Sequence, residues 1–592
     1  MTTKSAFSKI IVFLIVLVLT FAASKSIYST IIKYRNIPFP YDSAGHAYEG
    51  LRIAEDIKAF DIISFGSDTY SQAFWPFFHS YLLAPAFILF GYTYTVARSV
   101  SLFCFILFIL TIYGIGTQMS DRHGHWIGII TVCLALTSLP FLVLSAMSMS
   151  EIPGLLMTFL TFLIYLIALK QKKTYLFFCT SILMVLTFFT KWHHGVFVIV
   201  AIFLTQIIQS KRLWSRDNAN LLFPFLSMAA IWFIYPRHIS SFYHHSTFQP
   251  HFYKFLSIEN WLFYPKSLLQ VYHASPIIAI IVLLCFFYSL TRVNEPKIML
   301  FVIHVLAGIT LMTIKLDNRH RYIISVVPSI WILASTQLLD IFHRFRHKIN
   351  RNKLTLASTL VITFAFFLTT SLSVAGIYRK YPQSLVKYNY YCDDRLNKAY
   401  EFISENVANY NHIAVFGSWD YYNSLKSATI RWNIAVAKQN DPTLKYDKKR
   451  KSKFYFSQFI KNKDMKSYRE FISFLENKDL RIYEYHLLSF MKTLDPTSYQ
   501  DYRIKTKMNP FSDKITDPDS ISQQITCLVN IYNEKEAELV RFAKKYMLKQ
   551  DHWTAYKKKK FSDLGITITI YKRKYKNSPP EKLSTEKIIK IF

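Results

Sequence analysis

Five short segments of this 592-residue chain gather ionisable side chains where apolar runs begin or end. Carboxylates at such places suit proton removal, and lysines and arginines suit phosphate binding. Because ionisable groups are costly beside a bilayer, their clustering at the ends of apolar runs indicates functional sites. The segments are residues 41–46, 150–153, 191–195, 244–254 and 317–322.

The candidate catalytic acids are Asp42 and Glu151. Asp42 follows the first apolar run and would remove a proton from an acceptor hydroxyl or amine. His46, four residues further on, shares its helical face and would orient it or help to bind a metal. A simpler interpretation stays open for each acid, namely a helix cap for Asp42 and a favourable helix-dipole contact for Glu151.

The candidate phosphate ligands are Lys191, Arg319, Arg321 and Tyr322. Lys191 precedes two histidines, and the two arginines open an apolar run on the side where few cations are expected. The phosphate of a lipid substrate is the predicted partner, and headgroup contact or snorkelling is the alternative. The histidines of residues 244–254 match no standard zinc spacing, which argues against a metal there.

These segments need helices to hold them, and the composition predicts a polytopic α-helical membrane protein. Hydrophobic residues make up 52% of the chain, and residues 1–376 contain one apolar run after another, several close to the ~20 residues that cross a bilayer. Net charge is +33, but the basic residues lie mostly between apolar runs and in the tail, which favours membrane orientation over nucleic-acid binding. Basic loops at the cytoplasmic face are predicted at residues 170–173, 211–216 and 344–353.

This frame gives about eleven spans and places residues 31–97 in an outer loop, provided that residues 77–90 do not cross. That stretch is short and contains His79 and Pro85, so we predict that it lies flat at the outer interface. Residues 43–60 have apolar positions at helical spacing and predict a second interfacial helix. All five ionisable segments then fall on the extracytoplasmic side.

From residue 377 the composition becomes polar, with 41 Lys and Arg against 24 Asp and Glu, a difference of +17. Strand-like runs at residues 412–416, 429–436 and 566–571 and a helical pattern at 534–548 predict an extracytoplasmic α/β domain over 377–576. Residues 577–592 are expected to form a flexible tail. A disulfide between Cys392 and Cys527 is left open.

In these positions the sequence resembles the GT-C glycosyltransferases of the protein O-mannosyltransferase and lipid A aminoarabinose-transferase type, over residues 10–335. Asp42 matches the family's catalytic acid, whereas Ser43 replaces its second acidic residue. Residues 75–98 resemble the family's passage of a proline, an apolar helix, Phe-Gly and Ala-Arg, but Phe74 and Trp75 stand where the aminoarabinose enzyme has charges. A lipid-phosphate contact from that point is therefore absent.

Further matches follow in the family's order. Glu151 resembles its second outer acid, Lys191 falls in a Thr-Lys pair, and residues 321–328 resemble its signature of Arg-Tyr, an apolar stretch and Pro. The resemblance implies an inverting transfer of a monosaccharide from a polyprenyl-phosphate or dolichyl-phosphate donor to a lipid, glycan or protein acceptor. Preformed cations would stabilise the leaving phosphate, with Asp42 as base on the opposite face of the sugar.

No cofactor is required for such a transfer, and nothing in the sequence supports a divalent metal, although one is compatible with His46. The expected partners are the lipid-linked sugar, its acceptor and membrane lipids, not nucleic acid. The membrane would be the inner membrane of a bacterium, or the endoplasmic reticulum in a eukaryote. The main alternative is a transporter or flippase, which more often shows repeats and charges near mid-bilayer; a scaffold or a diphosphate-dependent ligase is a third.

Overall fold

The structure, a computed structural model, describes thirteen stretches of the chain, which cover most of the apolar part and some of the polar tail. They are residues 3–39, 41–72, 75–211, 215–236, 238–239, 257–315, 318–349, 395–407, 412–418, 427–440, 453–459, 527–533 and 553–573. Several predictions fall outside them: Asp317, the histidines of 244–254, the apolar run 354–376, the disulfide at Cys392, the helix at 534–548 and the tail 577–592.

The chain divides into two compact units. The first contains Met1–Arg35 and Glu49–Asn389, and the second contains Asn36–Tyr48 and Tyr390–Phe592. The helices described up to residue 349 are α1 Thr3–Lys33, α2 Tyr41–Lys58, α3 Ile62–Tyr70, α4 Phe78–Phe90, α5 Tyr94–Met119, α6 Gly124–Leu136, α7 Leu139–Ser145, α8 Glu151–Gln171, α9 Thr174–Thr190, α10 Trp192–Ser210, α11 Arg216–Phe233, α12 Ile258–Gln270, α13 Pro276–Ser289, α14 Pro296–Lys315 and α15 Val327–Ile349.

The predicted class of polytopic helical membrane protein is confirmed. Within the described residues, five helices are long and apolar enough to cross a bilayer alone: α1, α5, α8, α10 and α14. The bent pair of α6 and α7 makes a sixth if it forms one span, and α9 and α13 are shorter apolar helices. Apolar side chains on every face and internal backbone hydrogen bonds are what a helix needs to exist in lipid.

Small residues allow the helices of the first unit to pack closely. A Cβ atom on Gly116 of α5 would lie 2.4 Å from the Cα atom of Gly128 on α6. Similarly, a Cβ atom on Gly195 would lie 2.4 Å from the Cα atom of Phe188. Such close approaches exclude any larger side chain, which is the usual basis of helix association in membranes.

A different ion pair lies at each end of helix α8. At one end of α8, Lys170 Nζ lies 2.7 Å from Asp121 Oδ1, in the loop after α5. Glu151 begins the same helix, about 30 Å away at 1.5 Å per residue, and it pairs with Lys191. The predicted cytoplasmic loop at Lys170 and the predicted outer acid Glu151 therefore lie at opposite ends.

Residues 31–97, the predicted outer loop, contain three short helices where two were predicted. α2 and α4 cover the segments predicted as interfacial helices, whereas α3 was not predicted. Asp61 caps α3 by accepting a hydrogen bond from the backbone nitrogen of Ser64 at 2.9 Å. Arg52 on α2 forms an ion pair with Asp68 on α3, which joins the two helices.

The second unit contains the predicted α/β fold. Its described elements are the helices α16 Arg395–Val407 and α17 Ser427–Asn440 and the strands β1 His412–Ser418, β2 Lys453–Phe459, β3 Cys527–Asn533, β4 Trp553–Phe561 and β5 Ile566–Arg573. The sheet order is β2-β1-β3-β5-β4, with β1 parallel to β2 and β3, and β5 antiparallel to β3 and β4. Alternate residues of β5, such as Ile568 and Ile570, are fully buried in a core shared with α16 and α17.

One predicted strand is wrong. Residues 429–436 lie inside α17. Ile430 and Ile434 are four residues apart and both are buried in the core, so they mark one face of a helix. The same segment also alternates between apolar and polar residues, and a stretch this short fits either period.

Candidate functional site

The centre of the candidate site is an ion pair between two predicted site residues. Glu151 is the first residue of α8 and is fully buried, and its Oε1 lies 2.5 Å from Nζ of Lys191. Lys191 stands between α9 and α10 in an extended conformation, with 12% of its side chain exposed. Its ammonium group also reaches Ser150 Oγ at 3.4 Å. A buried carboxylate needs such a cation, because burying a carboxylate without a partner costs several kcal/mol in lost hydration.

Residues 319–323, here called the arginine turn, bring further cations to this pair. His320–Ile323 forms a short 3₁₀ helix between α14 and α15, with Arg319 as its N-terminal flank. Arg321 Nη1 lies 3.8 Å from Glu151 Oε1, and the side chain of Arg321 is 28% exposed. The turn is thus close enough for Arg321 and Lys191 to share one carboxylate.

The ring of Tyr322 is surrounded by positive charge. The guanidinium carbons of Arg319 and Arg321 each lie 5.7 Å from its centroid, and Lys315 Nζ lies 4.8 Å from it. The ring of His193 meets Tyr322 edge-on at 5.4 Å. An aromatic face attracts cations at these distances and can hold several of them near one another despite their mutual repulsion.

Gly154 explains how α10 approaches the pair so closely. His194 on α10 is fully buried, and a Cβ atom on Gly154 would lie 2.6 Å from its Nδ1 atom. Gly154 is one turn into α8 from Glu151. Any side chain at this position would push α10 away, and Lys191 immediately precedes α10.

The charges of this cluster favour an anion. Lys191 and Arg321 lie beside the Glu151 carboxylate, and Lys315, Arg319 and Arg321 lie beside the ring of Tyr322. Partly exposed guanidinium and ammonium groups around a tyrosine can bind phosphate through charge-assisted hydrogen bonds. In the part of the chain that the structure describes, no group of three His, Cys, Asp or Glu side chains could hold a metal ion.

Asp42 and His46 belong to the second unit, because that unit includes Asn36–Tyr48. Asp42 lies in the first turn of α2 and is half-buried. His46 follows one turn later and is 3% exposed. Just before them, the carbonyl oxygen of Phe39 accepts a hydrogen bond of 3.1 Å from Thr429 Oγ1, which anchors this segment to α17.

Of the predicted site residues, the structure brings five together in the first unit: Glu151, Lys191, Arg319, Arg321 and Tyr322. The sequence reasoning missed Lys315. It ends an apolar helix on the side predicted to be outer, as Arg319 and Arg321 begin the next one, and this shared placement was the available signal. Lys315 contacts Tyr322 only because the 3₁₀ helix between α14 and α15 lies against the end of α14, which the sequence alone does not show.

Solved structures resemble the chain over almost its whole length. One is ArnT from Cupriavidus metallidurans bound to undecaprenyl phosphate, with a TM-score of 0.53, 11% identity, and coverage of 94% of this chain and 97% of that chain. The apo state of the same protein gives a TM-score of 0.50 at 12% identity, covering 96% and 98%. The archaeal oligosaccharyltransferase AglB from Archaeoglobus fulgidus gives 0.47 at 12% identity, covering 96% and 75%.

The likeness to ArnT shows that this chain has the GT-C fold. No protein-family profile matches the sequence, and no curated protein matches it at a significant level.

Proposed function

We propose that this chain is a membrane glycosyltransferase that moves a monosaccharide from a polyprenyl-phosphate or dolichyl-phosphate donor to a lipid, glycan or protein acceptor on the extracytoplasmic side. One observation carries the proposal: Glu151, Lys191, Arg321 and Tyr322, drawn from three separate segments, meet at one end of a bundle with the GT-C fold. The ArnT structure of that fold is bound to undecaprenyl phosphate.

On the donor side, the cations meet the phosphate that leaves as the anomeric bond breaks. Charge accumulates on its oxygens in the transition state, and preformed positive groups stabilise that charge without having to reorganise. Arg319 and Arg321 approach it from the arginine turn, and Tyr322 donates a hydrogen bond. Glu151 has no exposed surface, so in this proposal it holds the ammonium group of Lys191 in place rather than meeting the sugar.

On the acceptor side, Asp42 removes the proton from the attacking hydroxyl or amine. Attack from the face opposite the leaving phosphate inverts the anomeric centre. His46 lies one turn along the same helix and orients the carboxylate. A half-buried carboxylate suits this work because it keeps a route to the acceptor while part of its water shell is removed.

The proposal is tested by supplying membranes that contain the full chain with a radiolabelled sugar on a polyprenyl monophosphate. Label should reach a glycan, lipid or protein fraction, and transfer should fall in an Arg321→Ala variant. Lys170→Ala is the matched control, because Lys170 forms an exposed ion pair at the other end of the bundle.

Two outcomes would contradict the proposal. One is transfer from polyprenyl diphosphates only. The other is movement of the labelled lipid between leaflets with no transfer, which would assign the chain to the flippases.

A further inference from the structure

The arginine turn is held from outside the cation cluster by α12 and the corner that follows it. Tyr272 is 1% exposed, and its hydroxyl group donates a hydrogen bond to the carbonyl oxygen of His320. Ser267 is also 1% exposed, and its Oγ lies 2.8 Å from Nδ1 of His320. The ring of His320 stacks on Phe263 with centroids 4.9 Å apart and planes at 17°. His320 is therefore the point at which three residues of α12 and its corner contact the turn.

The hydrogen bonds of Ser267 identify which ring nitrogen of His320 carries a proton. Ser267 Oγ donates its single proton to the carbonyl oxygen of Phe263 at 2.7 Å, since that oxygen can only accept. Towards His320 the same hydroxyl must then accept, and Nδ1 of His320 must donate. Partial burial lowers the pKa of His320, which favours the neutral ring, and the bond to Ser267 then places the single ring proton on Nδ1.

This contact matters because the turn has little rigidity of its own. Four residues of 3₁₀ helix supply few internal hydrogen bonds, such as that from Tyr322 N to Arg319 O at 3.1 Å. Ile323 is fully buried and fixes one side of the turn. Two hydrogen bonds to His320 hold the turn from outside. Tyr272 binds the backbone carbonyl oxygen of His320, and Ser267 binds its side chain. Asn260 adds a bond of 3.0 Å from Nδ2 to the carbonyl oxygen of Thr313, on the helix that leads into the turn.

We propose that Tyr272 and Ser267 are positioning residues of the donor site: acting through His320, they set where Arg319 and Arg321 meet the donor phosphate. The inference rests on the proposed function, because that phosphate is the group that the arginines are proposed to bind. None of the three positioning contacts involves the cation cluster itself. Loss of these contacts should therefore weaken binding of the phosphate by displacing the arginines, although no phosphate ligand is removed.

The chain offers matched variants. Tyr272→Phe removes only the hydroxyl group. His320→Asn keeps an N–H donor at the position of Nδ1, whereas His320→Gln moves the amide one atom further out and loses it. Tyr165→Phe is the control, because Tyr165 is also fully buried and donates a bond of 2.9 Å to Gln206, but it lies about 21 Å along α8 from Glu151.

The measurement is binding of two lipids to the full chain in phosphatidylcholine nanodiscs. Undecaprenyl phosphate and undecaprenol differ only in the phosphate. We expect Tyr272→Phe and His320→Gln to bind the phosphate lipid about 3- to 10-fold more weakly, the range that one hydrogen bond supplies, with undecaprenol binding unchanged. His320→Asn and Tyr165→Phe should stay within about 2-fold of the unaltered chain.

The outcomes separate this inference from the proposed function. If the unaltered chain binds both lipids equally, the donor site itself is wrong. If it prefers the phosphate lipid and all four variants keep that preference, the positioning role is wrong. Equal losses for both lipids, or equal losses in His320→Asn and His320→Gln, would show a general structural role and would also overturn it.

Discussion

Glu151 is stable inside the bundle only while a cation stays beside it. Its carboxylate is fully buried, with Lys191 Nζ at 2.5 Å and Arg321 Nη1 further away at 3.8 Å. Removing one partner of a buried pair costs more than removing both, because the remaining charge loses its compensation. The two residues should therefore behave as one unit in mutagenesis.

Lys191→Ala should lower stability by about 3 kcal/mol, whereas the double variant Glu151→Gln with Lys191→Met should recover most of that loss. Thermal unfolding of the detergent-solubilised chain measures both effects, and Lys170→Ala is the control for loss of an exposed lysine. If the single and double variants unfold at the same temperature, the pair does not stabilise the fold. Donor binding should be lost in both variants, since neither retains the ammonium group.

Arg321→Ala should behave differently from Lys191→Ala. Arg321 is 28% exposed and is the more distant partner of Glu151, so its removal should change stability little. It should weaken binding of the lipid phosphate by about 1.5–3 kcal/mol, the usual contribution of a hydrogen bond to a charged group. Binding of undecaprenyl phosphate to the purified variant measures this. Unaltered affinity would indicate that Arg321 meets only membrane headgroups.

Asp42→Asn should abolish transfer while expression and membrane insertion stay normal. Asparagine caps helices almost as well as aspartate, so a capping role alone predicts little change. As a base, however, the amide cannot accept a proton, and loss of general-base help typically lowers the rate by about 10²- to 10⁴-fold. Turnover and donor binding should be measured separately, because only turnover should fall. Full activity in this variant would remove Asp42 from the mechanism.

At the scale of elements, α12 and α13 meet at a corner that His273 ties to α15. Nδ1 of His273 donates to the carbonyl oxygen of Leu268 at 2.7 Å, and Nε2 accepts from Trp331 Nε1 at 3.1 Å. This pattern requires a neutral ring, because a protonated Nε2 could not accept. Burial lowers the pKa of His273 to about 4, which agrees with that requirement.

The corner should therefore lose stability in acid. The folded pKa of His273 lies below its ordinary value of 6.5, so its contribution is complete above pH 6.5 and is lost as pH falls towards 4. The free energy of unfolding should fall over this window by about 3 kcal/mol, because each pKa unit corresponds to about 1.4 kcal/mol. A lower thermal midpoint of the full chain measures this fall. The same titration on His273→Gln, which keeps an acceptor for Trp331, should show a flatter slope. Parallel slopes in the two proteins would assign the acid sensitivity to other groups.

The elements were predictable where the signal is local. Apolar runs set the long helices, and the alternation in residues 566–571 identified β5 correctly. α17 was mistaken for a strand because its buried face is only a few residues long, and its identity is decided by packing against α16. α3 was missed because nine residues give a weak periodic signal, although Asp61 supplied a recognisable cap.

The site was predictable in its residue types but not in its contacts. Lysine, arginine and tyrosine at the ends of apolar runs indicate phosphate chemistry wherever the runs lie. The pairing of Glu151 with Lys191, however, depends on α8 and α10 approaching closely at Gly154. The bonds from Tyr272 and Ser267 to His320 cross about fifty positions of sequence, and no local pattern records them.

At the scale of the whole molecule, the second unit is built from two distant segments of the chain, and this bears on how many times the chain crosses the membrane. Asn36–Tyr48 and Tyr390–Phe592 belong to one compact unit. Contacts in that unit join its two parts directly: Thr429 bonds to Phe39, and the ring of Trp432 lies 5.6 Å from that of Phe39. Both parts must lie on the same side of the bilayer. This predicts an even number of crossings between residues 48 and 390, as in the predicted frame of one span followed by ten.

An even number of crossings predicts on which side of the membrane the C-terminus lies. Lys4 and Lys9 lie just before the apolar run of α1 and favour a cytoplasmic position for that end of the helix. Because α1 is predicted to cross once, Asn36–Tyr48 and with it Phe592 should be extracytoplasmic. In a bacterial host, an alkaline phosphatase fusion after Phe592 should be active, and one after Lys173, in a predicted cytoplasmic loop, should be inactive. A cytoplasmic reporter should give the reverse pattern. An inactive phosphatase at Phe592 would place the C-terminus in the cytoplasm and, through the shared unit, would move Asp42 there as well, where it could not serve a transfer on the outer side.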